Sequence, residues 1–198
     1  PSSDGVSAVS NHLAVASVTA ALRTFLDDAI QASKITGADV KHLRPDLVKE
    51  GDTCINLYLY RVSPNAQWPN ADLPTRQADG TPVRRAVSGI DLHYLFSFHG
   101  ADSEYEPERL LGATVQLLHA RPILSRDTIR AATGADQNLQ DSDLADQAER
   151  VRLGPTNLSL EDLSKLWPIF FQTKYVLSAA YTASVVLIEE AAPTPAPA

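Results

Sequence analysis

Asp91, His93 and His99 are the side chains best placed for proton transfer or metal ligation, because they sit at alternating positions of one segment. In an extended chain such positions share a face. An Asp91/His93 face is what a hydrolase would use for general-base chemistry. His93 and His99 are six residues apart, about 20 Å along a strand at ~3.3 Å per residue. Two ligands of one metal cannot stand that far apart. His12, His42 and His119 fall in separate elements, so no metal site is expected. The sequence has no Gly-x-Ser-x-Gly elbow, no phosphate-binding or dinucleotide-binding glycine motif and no His-Glu-x-x-His pair. Asp27-Asp28 fall on the polar side of a helical pattern, and Glu104, Glu106 and Glu108 at the start of another. Solvation and the helix dipole account for both groups. No catalytic residue and no cofactor is expected.

A second group of residues suits contact rather than catalysis. Arg76, Arg84 and Arg85 flank the turn Asp79-Gly80-Thr81-Pro82 in a segment, 63–87, that also holds Pro64, Pro69 and Pro74. Proline has no amide donor for a sheet ladder, so the segment reads as an extended loop. Loops longer than about 12–15 residues are uncommon in compact domains unless they have a function or are disordered. Trp68 and Leu73 argue against disorder, since large apolar groups gain free energy only by docking. The loop therefore either packs on its own domain or forms a protein interface.

The elements that must position these residues follow from periodicity. Val15, Val18, Leu22, Phe25, Leu26 and Ala29 predict an amphipathic helix over 11–31, capped by Ser10 or Asn11. A short strand is expected over 39–43. Alternation over 53–62 puts Ile55, Leu57 and Leu59 on one strand face and Asn56, Tyr58 and Tyr60 on the other. Over 90–98, Ile90, Leu92, Tyr94, Phe96 and Phe98 share a face. Pro107 suits the first turn of a helix that buries Leu110, Leu111, Thr114, Leu117 and Leu118. A short helix over 125–132, a polar loop over 133–148 and a short strand over 151–153 follow. Ser159 to Asp162 reads as a weak capping box that opens a helix ended by Trp167-Pro168. The last strand is expected over 175–188, with Tyr175, Leu177, Tyr181, Val185 and Leu187 on one face. The fold class is therefore α+β, a mainly antiparallel sheet with helices on its core face and a long proline-rich loop between two central strands.

With 198 residues the chain fits a single domain over 1–190, followed by a stiff proline-alanine tail over 191–198. A net charge of −7 offers no footprint for a phosphate backbone, so nucleic acid is not an expected partner. One cysteine, Cys54, implies a reducing compartment. Neither a membrane span nor a signal sequence is expected, which points to the cytoplasm.

The segments INLYLYRVSPNAQWPNADLPTR and GIDLHYLFSFHG resemble the N-terminal domain family of contractile injection system cap proteins. PERLLGATVQLLHARPILSR and LSLEDLSKLWPIFFQTKYVLSAAYTASVVLIEE fit the same pattern, which extends from Val15 to Glu189. Its most specific pieces are Asn70-Ala71-Asp72-Leu73-Pro74, Asp91 to Leu95, Arg109 to Gly112 and Leu166-Trp167. Pro168 and Lys174 depart from it. The resemblance implies a ring of six copies at the end of a phage-tail-like particle, ending the inner tube and holding the last sheath ring, with no active site. A ring that ends a head-to-tail polymer needs one face that fits the polymer and one that does not. Trp68, Asn70, Asp72, Arg76, Arg84 and Arg85 are the expected fitting face, since Trp and Arg dominate interface hot spots. The opposing classes are a particle-borne hydrolase on the Asp91/His93 face and a small-ligand module with a closed apolar pocket.

Overall fold

The computed structural model describes residues 9–68, 87–170 and 173–189. Helix α1 (Ala14–Ser33) buries Val18, Leu22, Phe25, Leu26 and Ala29, the stripe expected from spacing. Lys34 ends it in the left-handed region, where its amide reaches the Gln31 carbonyl. Neither expected residue is the cap. Ser10 pairs with Ile188 of the sheet instead, and Asn11 supports the preceding turn through Leu13 N (2.9 Å) and Ala14 N (3.1 Å).

Five strands form one sheet: β1 (Asp39–Lys41), β2 (Cys54–Pro64), β3 (Val87–His99), β4 (Arg152–Thr156) and β5 (Ser178–Glu189), in the order β1-β2-β3-β5-β4. Every pairing is antiparallel except β1 with β2. Helices α2 (Glu106–Ala120) and α3 (Arg126–Ala135) lie beside α1 on one sheet face, and α4 (Leu160–Leu166) lies on the other. The fold is α+β, as the patterning predicts. The described part of the 63–87 segment is short: β2 runs to Pro64 and β3 starts at Val87. The interior of the proline-rich loop, 69–86, lies outside the described residues, and so do Asn70, Asp72, Arg76, Arg84 and Arg85.

The core follows from alternation. Leu92, Tyr94, Phe96 and Phe98 point into the helical layer and are fully buried, with Phe96 stacked on Tyr181 at 5.1 Å. Each such side chain contributes about 1.5–3 kcal/mol by leaving water. The Tyr94 hydroxyl, 2.9 Å from Thr19 Oγ1, ties α1 to the sheet, and burial pushes its ionisation well above the ordinary range. On the opposite face Leu95, Trp167 and Phe170 make a smaller cluster with Tyr58, Tyr60, Leu163 and Leu166 beside them.

Two bulges shift the register. One inserts Tyr60 into β2, between the pairs Leu59–Tyr94 and Arg61–His93. The other sets Ser184 and Val185 of β5 against Asp91 alone. A bulge turns the following side chains to the other face. Tyr181 and Ala183 therefore join the main core together with Val186, and the single face expected for Tyr181, Val185 and Leu187 is not observed. β5 also starts later than expected. Tyr175 is instead turned edge-on to Trp167.

The expected polar loop over 133–148 is largely a packed segment. Leu139, Leu144, Ala145 and Gln147 are all buried. Both sheet edges are blunted: β1 has three residues, and β4 carries Pro155 and is covered at its start by Pro122–Leu124. No helix among the described residues is long and apolar enough to cross a membrane.

Candidate functional site

The sheet face opposite α1 carries the polar residues singled out by spacing, and the two bulges bring them into rows. Ser63 Oγ lies 2.8 Å from His93 Nε2, His93 Nδ1 lies 3.0 Å from Thr182 Oγ1, and Thr182 Oγ1 lies 2.6 Å from Thr156 Oγ1. This is a chain of hydrogen bonds across four strands. A second row is centred on Asp91 Oδ1, which accepts from Asn65 Nδ2 (2.7 Å) and Ser184 Oγ (2.7 Å).

Ser63 and His93 have the separation of a nucleophile and its base. A hydrolytic triad, however, also needs a carboxylate on the second ring nitrogen to fix its tautomer and stabilise the imidazolium. Here that nitrogen faces the Thr182 hydroxyl, while Asp91 is held by Asn65 and Ser184. The arrangement is that of a structural ladder across the sheet. His99 is apart from it, 3.0 Å from Ser97 Oγ. Among the described residues no three His, Cys, Asp or Glu side chains gather as metal ligands.

Burial lowers the pKa of both His93 and His99; Arg61 adds to this at His93, while Asp91 opposes it. The fold thus favours the neutral rings, and the unfolded chain binds more protons below its ordinary histidine pKa of 6.5. Stability is complete above that value and falls as pH drops through it. Urea melts at about pH 7.5 and 5.5 should show the loss, and His99→Gln should flatten the slope. An unchanged slope would contradict the assignment.

Trp68 is the one residue of the expected contact face that is described. It is 39% exposed, and its position is set by Asn65, which is buried. Asn65 Oδ1 accepts from the amides of Gln67 (2.9 Å) and Trp68 (3.1 Å), while Asn65 N donates to the Gly89 carbonyl (2.9 Å). Gly89 leaves room for this turn: a Cβ there would come within 2.5 Å of Trp68 Cβ. Asn65 is not among the residues singled out by spacing, although Pro-Asn after a strand is an Asx-turn signal. The result is a tryptophan whose backbone is fixed where the loop leaves the sheet, with about two-fifths of its surface in water.

Two concavities are open clefts with charged rims. One of about 600 Å³ has Asp46, Lys49, Asp52 and Glu108 along it, and one of about 640 Å³ has Arg23, Asp27 and Asp136. Neither is the closed apolar pocket that a small-ligand module calls for. Cys54 is buried, and desolvation pushes its thiol up to about 12, so it is inert as a nucleophile.

The family model described as the Pvc16 N-terminal domain matches residues 17–198. No curated protein matches the chain. Among solved structures, the sheath/tube terminator of the extracellular contractile injection system PVC, in its extended state, aligns with a TM-score of 0.59 and 14% identity. That alignment covers 93% of this chain and 61% of the terminator. The anti-feeding prophage cap, a tube-terminating cap, aligns with a TM-score of 0.51 and 14% identity over 88% of this chain and 56% of the cap. At this identity the likeness is one of fold, and the chain spans about three-fifths of the length of either protein.

Proposed function

The chain belongs to the Pvc16 N-terminal domain family, and from that premise we propose that it is a structural cap subunit of a contractile injection system. In this reading residues 1–190 form the cap domain and 191–198 a tail. Six copies close a ring that terminates the inner tube and holds the distal end of the sheath, after assembly in the cytoplasm. The subunit is structural rather than catalytic. Its partners are further copies of itself, the tube protein and the sheath protein.

The observation that carries the reading is Trp68, whose backbone is fixed by Asn65 beside Gly89 while the residue stays substantially exposed. A well-exposed tryptophan on a fixed backbone suits an interface hot spot, because little backbone entropy is lost when it docks. The segment that leaves Trp68 adds Asn70, Asp72, Arg76, Arg84 and Arg85 to the proposed contact face. Those arginines give a chain of net charge −7 a place where an acidic partner surface can approach without repulsion. The opposite edge need not match the polymer at all. Blunted sheet edges also fit a terminator, since an open edge would invite further strand addition.

The test is the length of tubes assembled in the presence and absence of the chain. Tubes of defined length with the chain, and of unlimited length without it, are expected. Lengths that do not respond to the chain would overturn the proposal.

A further inference from the structure

Asp91 stands where β3 passes under the turn that carries Trp68. Gly89 and Asp91 are two residues apart on that strand and share a face. Trp68 sits over Gly89, where an added Cβ would meet the Trp68 Cβ at 2.5 Å, and the Gly89 carbonyl accepts from Asn65 N at 2.9 Å. Beside it, Asp91 Oδ1 accepts from Asn65 Nδ2 and from Ser184 Oγ, each at 2.7 Å. Asn65 Nδ2 also donates to Ser184 Oγ at 3.2 Å, so the three side chains close a ring of hydrogen bonds. Ser184 is brought opposite Asp91 by the β5 bulge. His93 takes no part, since its two ring nitrogens face Ser63 and Thr182.

The partners at the two ends of the Asn65 side chain are of opposite kinds. A carboxylate can only accept, whereas the amides of Gln67 and Trp68 can only donate. An asparagine amide has nearly the same shape with its oxygen and nitrogen exchanged, so the groups it faces decide its orientation. With Nδ2 towards Asp91, Oδ1 is left to accept from Gln67 N (2.9 Å) and Trp68 N (3.1 Å). Turned round, the oxygen would face a carboxylate and the nitrogen would face two N–H groups. Asn65 is 7% exposed, so water does not readily replace a lost partner.

We propose that Asp91 is a positioning residue for Trp68: its carboxylate sets the orientation of the Asn65 amide, and that orientation closes the turn that places Trp68. The consequence for tube binding rests on the cap reading, while the hold of Asp91 on the turn stands apart from it.

The test exchanges the two groups in the full chain and reads amide hydrogen exchange at Gln67 and Trp68 by NMR at neutral pH. Asn65→Asp keeps an acceptor for the turn but sets a second carboxylate against Asp91, so exchange at both amides should rise about tenfold or more. Asp91→Leu, which removes the acceptor without adding charge, should expose them as well. Asp91→Asn alone should change little, because its amide oxygen still accepts from Asn65. Added to Asn65→Asp, it sets a donor against the new carboxylate and should return both amides to near wild-type protection. Protection at Tyr94, fully buried in β3, separates local opening from loss of the fold. Unchanged exchange in Asn65→Asp and Asp91→Leu, or a defect in Asn65→Asp that Asp91→Asn does not relieve, would overturn the proposal. Co-sedimentation of the same variants with pre-formed tubes separates it from the cap reading. Binding that falls and returns together with protection supports both. Protection that follows this pattern while binding does not change leaves Asp91 its role and takes Trp68 out of the interface.

Discussion

Replacing Gln147 with leucine lowers the thermal midpoint by about 6–12 °C, the largest stability loss expected from any polar substitution in this chain. Gln147 is 1% exposed and uses both ends of its amide. Its oxygen accepts from Leu187 N (3.0 Å) and Ser10 Oγ (3.2 Å), and its nitrogen donates to Glu149 O (2.8 Å) and Val185 O (3.1 Å). These bonds fasten β5 just past its bulge, beyond the reach of β4, whose first residue Arg152 pairs with Ser184, and they hold Ser10 beside its bridge partner Ile188. Leucine fills a similar volume but leaves Leu187 N and Val185 O buried without this partner. Each stranded group costs about 1–3 kcal/mol, so a total on the order of 3 kcal/mol is expected. For a domain of this size that converts to the stated shift at roughly 2–4 °C per kcal/mol. Circular-dichroism melts measure it. A shift below about 2 °C would show that the side chain does not anchor the bulge.

Replacing Trp68 with alanine reduces binding to tube ends about thirtyfold while the melting transition moves little. Loss of an interface anchor costs about 2 kcal/mol or more per subunit, which corresponds to that factor. The indole is outside the core clusters, so the fold does not depend on it. Gly89→Ala should weaken binding by a different route, because its Cβ would lie 2.5 Å from Trp68 Cβ and force the turn away. Co-sedimentation with pre-formed tubes, run beside melts of the same proteins, measures both effects. Equal binding by the variants would take Trp68 out of the interface. A collapsed transition for Trp68→Ala would make it a core residue.

The parts of the fold legible in the sequence were those with a sustained period. Ile55 and Leu57 alternate inward, Leu22, Phe25 and Leu26 recur on one helix face, and Ser159 with Asp162 forms the capping box that the spacing implied. What was not legible has a common cause, since it depends on single residues that break a period. The Ser184–Val185 bulge reverses the inward face of β5, so Val186 replaces Val185 in the core. Leu139, Leu144 and Gln147 are buried by short 3-10 turns, which leave no repeat long enough to read. At the candidate site, spacing marked Trp68 but not Asn65, whose role appears only once its side chain is seen bridging two strands and a turn. The Asp91/His93 pairing suggested by alternation also resolves differently, because hydrogen bonds run across strands to Ser63 and Thr182 rather than along β3.

Electron microscopy of particles from cells lacking this protein tests its role as a terminator most directly. The account predicts tubes and sheaths of uncontrolled length, or none that persist, and restoration of uniform length by the wild-type chain but not by Trp68→Ala. Particles of normal length with intact ends in its absence would contradict it.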